Sequence, residues 1–156
     1  MSLMYKLVIT FLVSMVPIIE LRVGVPIATG MGIDWYIALP VAIIGNIIPV
    51  PFILLFVREI LDCIDRCDFD FLNKIAKWLH KKVDKNKSSI EKYGYLGLIL
   101  FVGIPLPGTG AWTGCLIAAV LNMNRRKSFF AIMTGIIMAS VIMMAISYGI
   151  VGNLIQ

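Results

Sequence analysis

A carboxylate and a guanidinium lie two residues apart, at Glu20 and Arg22, inside the first long apolar stretch of this 156-residue chain. Each such charge costs roughly 2.5–3.5 kcal/mol at the centre of a membrane, even on insertion-derived scales. In one interpretation Glu20 carries a proton, and Arg22 is its partner or contacts an anionic substrate group. In the other, the two groups are structural and hold neighbouring segments together, through each other or through loop carbonyls.

A second group of candidate residues lies at 103–114, where the sequence reads Gly-Ile-Pro-Leu-Pro-Gly-Thr-Gly-Ala-Trp-Thr-Gly. The prolines and glycines oppose a continuous helix. A helix opening at Ala111 would turn backbone N–H groups and its positive end toward a ligand. Alternatively, the glycines permit close packing and the prolines only make a turn. The candidate site residues of this segment are Pro105, Pro107, Gly108, Thr109, Gly110, Trp112 and Thr113.

Asn46 is a further candidate, in an apolar run that also contains Pro40, Pro49 and Pro51. Its amide could line a cavity or hydrogen-bond a neighbouring helix, and we expect the prolines to kink the run.

No set of residues typical of catalysis is visible in the sequence. Cys63, Cys67 and His80 give the one metal-like spacing, and on a charged segment such residues are rarely ligands. The chain has no P-loop, no dinucleotide fingerprint and no nucleophile–base set. We therefore expect no enzyme activity, no metal and no cofactor.

The composition is that of an integral membrane protein, with 60% hydrophobic and 15% charged residues and a mean hydropathy of +0.93. Soluble domains are nearer 45–50% apolar and about 25% charged. Nothing in the chain is typical of a nucleic-acid-binding domain. The expected surroundings are a lipid bilayer, with a small-molecule or lipid substrate.

The apolar runs have two lengths. Those at 35–57 and 128–151 are long enough to cross a bilayer. The runs at 7–19, 23–33, 95–107 and 111–123 are shorter, which is more typical of re-entrant or interfacial segments. We also expect residues 1–19 to be retained, because no signal-peptide cleavage site follows them.

The predicted fold is an all-α membrane protein, in which a re-entrant helical hairpin plus a transmembrane helix recurs as an inverted repeat. A single membrane domain would comprise a first repeat at 1–57, a cytoplasmic charged amphipathic insert at 58–93 and a second repeat at 94–156. When the two halves of the chain are aligned without gaps at an offset of 88 residues, Glu20 aligns with Gly108 and Pro17 aligns with Pro105.

Charge predicts the orientation. Twelve of the fourteen lysines and arginines fall in 58–93 and 124–127. The positive-inside rule makes those segments cytoplasmic and places both termini outside, in a multi-pass protein of the inner or plasma membrane. We expect a homodimer, since exposed breaks in the helices need covering.

The motifs at 17–26 and 103–114 resemble those of the putative small multidrug export protein family, and the resemblance covers nearly the whole chain. More distantly, the plan of two opposed hairpins is similar to the DedA/VTT (SNARE-associated) superfamily, whose members include flippases or scramblases for polyprenyl phosphates and phospholipids. Glu20 would correspond to the acidic motif of that superfamily's first hairpin. The arginine of its second hairpin has no counterpart at 103–114.

Together these observations predict a transporter that moves a small or lipid-like substrate through a midplane site and is proton-coupled through Glu20. One alternative is a flippase or scramblase for a polyprenyl phosphate or a phospholipid. The other is a non-transporting scaffold whose buried ion pair is structural.

Overall fold

Seven α-helices form the described part of the chain, and no strand occurs there. The computed structural model describes residues 2–17, 19–66, 93–106 and 108–154, with the backbone alone at 58, 60–66 and 150–154. The helices are α1 (Leu3–Met15), α2 (Glu20–Gly30), α3 (Trp35–Ile47), α4 (Pro49–Arg66), α5 (Tyr93–Gly103), α6 (Ala111–Val120) and α7 (Arg125–Leu154). The all-α class predicted from the sequence is confirmed.

Two helical stretches are long and apolar enough to cross a membrane, Trp35–Val57 and Arg125–Gly149. The first consists of α3 and the beginning of α4, which are separated at Ile48. Pro49 lacks the N–H that would continue the helical ladder, so the predicted interruption falls here. Pro40 lies inside α3 without ending it.

The segment predicted as a charged insert is described only in part. α4 continues past the expected boundary at Val57 and is described as far as Arg66. The rest of the predicted amphipathic insert, residues 67–92 with Cys67 and His80, lies outside the described residues.

The two ends of α7 lie beside different parts of the chain. Near its start, the Asn124 N–H donates to the Tyr95 hydroxyl, 3.1 Å away, at the beginning of α5. Near its other end, the Tyr148 hydroxyl donates to the Ile33 carbonyl, in the turn after α2. Because α7 is one continuous helix, α5 begins at the opposite end of the molecule from that turn.

The N-terminal helix begins at the same end as the turn after α2. The Lys6 ammonium, in the second turn of α1, donates to the Met31 carbonyl. α1 packs against α2 and α3, whereas α6 packs against α4 and α7. α1 and α2 therefore form one antiparallel pair, and α5 and α6 form another. The two pairs begin at opposite ends of the molecule.

The turns after α2 and after α6 contain the same hydrogen bonds. In each, residues just past the helix donate their N–H groups to carbonyls of its last turn. The bonds are Met31 to Ile27 and Ile33 to Ala28 in the first turn, and Leu121 to Ile117 and Met123 to Ala118, each 90 positions later, in the second. The left-handed residues are Gly32 and Asn122, with φ of 69° and 51°, and these are the residue types that favour this conformation.

The largest buried apolar cluster lies where the two helix pairs meet. It draws on every helix from α2 to α7 and includes Leu21, Val25, Ala42, Val50, Leu98, Val102, Ile117, Ile132 and Ile136. Leu21 is only 1% exposed and stands between the two charged residues of the first motif. The core therefore fixes the backbone that carries both charges.

Candidate functional site

The segment that joins α1 to α2 meets the segment that joins α5 to α6. We call residues 16–22 the first tip and residues 104–112 the second tip; Ile18 and Pro107 within them lie outside the described residues. The carboxylate of Glu20 accepts hydrogen bonds from the backbone N–H groups of Ala111 and Trp112, at 3.2 and 3.1 Å.

Glu20 completes the N-terminus of α6. The first N–H groups of a helix have no partner within it, and a side chain at the N-cap usually accepts from them. Here the N-cap is Gly110, which has no side chain to offer. The N-terminus that the sequence predicts to face a ligand is therefore bound by a carboxylate of this chain.

The backbone of Glu20 is itself unusual. Its φ is 53°, in the left-handed region, which costs a non-glycine residue roughly 1–2 kcal/mol. The side chain is 3% exposed, and the amide of Asn46 on α3 also reaches the carboxylate. Since α2 begins at Glu20, this conformation turns the chain into α2 and directs the carboxylate at the second tip.

Arg22 binds the carbonyl side of the same second tip. Its guanidinium donates to the carbonyls of Leu106 at 2.6 Å and Ile104 at 3.3 Å, and to the Thr109 hydroxyl at 2.7 Å. It also donates to the Thr109 carbonyl. A planar guanidinium carries five donors in fixed directions, so one side chain can bind several carbonyls of a tight loop.

The two charged groups do not form a direct ion pair. Among the described residues, no salt bridge joins Glu20 to Arg22, although their charges attract each other. Each group instead binds main-chain atoms of the second tip, Glu20 its N–H groups and Arg22 its carbonyls. Of the two structural possibilities that the sequence left open, the geometry corresponds to binding through loop carbonyls.

Two polar atoms beside the junction have no partner in the described part of the chain. They are Oδ1 of Asn46, a residue only 1% exposed, and Nε1 of Trp112. Buried polar groups are nearly always hydrogen-bonded, so each exception requires an explanation. The Trp112 side chain lines a cavity of about 280 Å³ whose other walls are Phe52, Ile53, Phe56, Val57 and Leu116. The junction thus offers one free acceptor, one free donor and an apolar space.

The structure brings most of the predicted site residues together. Glu20, Arg22, Asn46, Thr109, Gly110 and Trp112 all lie at the junction. Pro105 and Gly108 belong to the second tip but make no hydrogen bond to either charged group in the described structure, and Thr113 is buried within α6. Pro107 lies outside the described residues.

Sequence reasoning missed the individual acceptors Ile104 and Leu106. They act through carbonyl groups, which every residue carries, so their side chains give no signal. The one indication available is the Gly/Pro composition of the loop, because broken helix leaves carbonyls unpaired. No group of three or more His, Cys, Asp or Glu residues that could hold a metal occurs within the described ranges.

The fold and the junction define an α-helical integral membrane protein whose buried carboxylate and half-buried guanidinium lie where two breaks in its helices meet. A family model described as "Putative small multi-drug export protein" matches residues 20–142, and the chain belongs to this family. The family description suggests a membrane transporter. Comparison with curated proteins and with solved structures found no match.

Proposed function

We propose that this protein transports a small or lipid-like substrate through a midplane site between two re-entrant hairpins, with proton coupling through Glu20. The observation that carries the proposal is the crossed set of hydrogen bonds between the tips. Both side chains that tie the first tip to the second are ionisable, and a carboxylate such as Glu20 is the one of the two that can bind and release a proton.

Helix length supports re-entry. α1 and α6 have 13 and 10 residues, which at 1.5 Å per residue is roughly 15–20 Å, against a hydrocarbon core of about 30 Å. Each pair of short helices turns back where its tip meets the other tip. Broken backbone at membrane depth is tolerated where protein or a water-filled cavity covers it, and here each tip covers the other.

Recurrent packing supports the inverted repeat. In the first half, Ser14 packs between Gly24 and Gly45; in the second, Val102 packs between Gly114 and Gly135. The glycines of the two halves are 90 positions apart, as are the turn hydrogen bonds, whereas Ser14 and Val102 are 88 apart. The second tip is thus two residues longer, and the residue equivalent to Glu20 is Gly110 rather than Gly108.

Protonation of Glu20 provides the switch. A carboxylate has two acceptor oxygens, one for the N–H of Ala111 and one for that of Trp112. A protonated carboxyl group carries its hydrogen on one oxygen, which becomes a donor and a much weaker acceptor for a facing N–H. One of the two bonds is weakened, so the tips separate more easily and open a path between the halves.

The unpartnered atoms at the junction suit a polar substrate group. Asn46 Oδ1 accepts and Trp112 Nε1 donates, so a group with both functions satisfies both. The apolar cavity beside Trp112 receives the rest of the molecule. In this proposal Arg22 keeps the second tip folded and offers its charge to an anionic substrate when the tips separate.

For orientation and assembly, we propose what the sequence predicts. The end of the molecule with Arg125, Arg126 and Lys127 faces the cytoplasm, and the end with Ile33 and Tyr148 faces outside. The expected homodimer would cover those parts of the tips that the chain leaves exposed, such as Ile104 and Leu106.

The test uses purified protein in liposomes, with a pH-sensitive dye inside and an imposed pH gradient. We expect wild-type protein to carry protons and Glu20→Gln to fold yet lose that flux. Glu59→Gln is the matched control, because Glu59 is an exposed acid in the second half of α4, and it should keep the flux. If Glu20→Gln folds and transports protons like wild type, proton coupling through Glu20 is wrong.

A second candidate is lipid translocation, and one observation favours it. A groove of about 260 Å³ follows α5 to the second tip, lined by Tyr93, Gly97, Leu100, Phe101, Ile104, Leu106 and Thr109. Its last residue, Thr109, accepts from Arg22, so a lipid moving along the groove would bring its headgroup to that guanidinium.

Fluorescent short-chain phospholipids in the same liposomes distinguish the candidates. Lipid movement between leaflets that depends on Arg22 supports translocation, and proton flux without lipid movement supports small-molecule transport. If neither flux is found in wild type and Glu20→Gln is merely less stable, the charged residues are structural and the scaffold interpretation holds.

A further inference from the structure

A groove distinct from the tip junction lies between α4 and the first turns of α7. Its volume is about 500 Å³, and its walls are Pro51, Leu54, Leu55, Phe129 and Phe130, together with Arg125 and Arg126. Apart from the two arginines, every residue that lines it is apolar. Nothing in the proposed transport mechanism uses this groove.

The apolar and the charged residues that line the groove lie at different depths along the membrane normal. The apolar stretch of α3 and α4 ends at Val57, and that of α7 begins at Arg125. Leu54 and Phe129 lie about one turn inside these limits, whereas the arginines lie at the limit itself. Acyl chains and headgroups are separated in the same order at the edge of a bilayer.

In the described part of the chain, no acidic group pairs with the charge at the start of α7. Arg125, Arg126 and Lys127 follow one another in a first turn that contains no acidic residue, although the positive end of a helix dipole favours anions there. Asn124 accepts from the N–H groups of Arg126 and Lys127 but adds no charge. Within the described residues, neither arginine side chain forms an ion pair or a hydrogen bond.

We propose that this groove binds an anionic phospholipid, with an acyl chain against Leu54, Leu55 and Phe129 and the phosphate at Arg125 and Arg126. The charge of the groove selects this occupant. A second copy of the chain would bring two like-charged pairs of arginines together at a symmetric interface. A zwitterionic lipid would bring no net charge to compensate them.

The arginines should dominate the selectivity. A basic residue near a membrane surface contributes about 1 kcal/mol toward anionic lipid, so removing two should weaken binding roughly thirtyfold. Lys127 is the matched control, because its ammonium lies 5.9 Å from the centre of the Tyr95 ring, on a different side of α7.

The experiment adds short-chain phosphatidylglycerol or phosphatidylcholine, with identical acyl chains, to the full-length protein in detergent and follows the thermal unfolding midpoint. Phosphatidylglycerol should raise the midpoint of wild type at much lower concentrations than phosphatidylcholine. Arg125→Gln/Arg126→Gln should lose this preference, and Lys127→Gln should retain it. Leu55→Trp, which fills the groove and leaves every charge in place, should also weaken phosphatidylglycerol binding, and it tests the proposal if the double variant does not fold.

Three results would overturn the proposal. The first is an equal response of wild type to the two lipids. The second is an equal loss in Lys127→Gln and in the double variant, which would mean diffuse attraction to the basic turn. The third is a disulfide-linked dimer of Leu55→Cys, in a background without native cysteines, because a second copy would then cover the groove.

Discussion

Gly110 lies directly against the carboxylate of Glu20, and a Cβ at this position would be 2.5 Å from Oε2 and 2.7 Å from Oε1. The φ of Gly110 is 145°, a conformation that side-chain-bearing residues rarely adopt. Glycine at this position therefore serves two purposes. It lets the second tip turn into α6, and it lets a carboxylate from the first tip reach the N–H groups behind it.

Gly110→Ala should therefore disconnect the tips. The new methyl group strains the backbone and displaces the carboxylate from Ala111 and Trp112, which we expect to lower the free energy of unfolding by roughly 3 kcal/mol. The thermal unfolding midpoint in detergent measures this. Gly30→Ala is the control, since a Cβ at Gly30 meets nothing within 4 Å. Equal midpoints for the two variants would contradict the close contact.

Glu20→Gln should destabilise the protein by about 1–3 kcal/mol, because an amide has one acceptor oxygen where the carboxylate has two. The N–H of either Ala111 or Trp112 is then left buried without a partner. Glu59→Gln should change the free energy of unfolding by no more than about 0.5 kcal/mol, as is usual for an exposed position. Thermal unfolding of both variants beside wild type provides the comparison, and a Glu20→Gln midpoint equal to that of Glu59→Gln would rule out the two hydrogen bonds.

Arg22 and Thr109 should be energetically coupled. The Thr109 hydroxyl accepts from Arg22, and its single O–H faces the carbonyls of Ile104 and Leu106, which Arg22 also binds. A double-mutant cycle of Arg22→Lys and Thr109→Val should give a coupling energy in the range of about 0.5–3 kcal/mol.

The control for this cycle pairs Arg22→Lys with Thr134→Val. The Thr134 hydroxyl donates to the Phe130 carbonyl of its own helix, shares no hydrogen-bond partner with Arg22 among the described residues, and lines a groove with Tyr95 and Ile99 of α5. That cycle should be additive within about 0.5 kcal/mol. Additivity in both cycles would mean that Arg22 and Thr109 act independently.

Asn46→Leu should lower both flux and stability. The variant removes the unpartnered Oδ1, but it also removes the amide that reaches the Glu20 carboxylate, and losing a hydrogen bond to a charged group costs roughly 1.5–3 kcal/mol. We expect a lower unfolding midpoint and, in the folded variant, a lower proton or substrate flux in the liposome assay. A stable variant with wild-type flux would remove Asn46 from the proposed site.

Cysteine labelling tests the proposed topology. In a background with Cys63, Cys67 and Cys115 replaced, single cysteines at Asp34 and Asn124 should react from opposite sides of the membrane, since both positions are exposed and lie in turns at opposite ends. An impermeant reagent added outside should label the first and not the second. Labelling of both from one side would exclude re-entry of the short helices.

The positions of the helices followed largely from residue patterns. Pro49 marks the break between α3 and α4, and the loop before Ala111 marks the start of α6, because proline and glycine act on the backbone locally. The continuation of α4 to Arg66 was not predicted. A change from apolar to charged residues indicates where a membrane ends and does not require the helix to end there.

Most of the residues that meet at the junction were singled out from the sequence, but their contacts were not predicted. The charges at Glu20 and Arg22 were conspicuous because apolar neighbours make them costly. Their partners are main-chain groups about 90 positions away, at Ala111, Trp112 and Leu106. Such pairs are set by how the helix pairs dock, and sequence spacing carries no information about that.

The two tips contribute different groups to the junction, and few side chains of the second tip are needed for it. The first tip supplies a particular acid and a particular base, whereas the second answers mainly with peptide groups. Apart from Thr109, Gly110 and Trp112, the side chains of the second tip are therefore free to vary, provided that the loop keeps its course. Among related proteins, we therefore expect the sequence of the first tip to vary less than the sequence of the second tip, which needs mainly its backbone conformation.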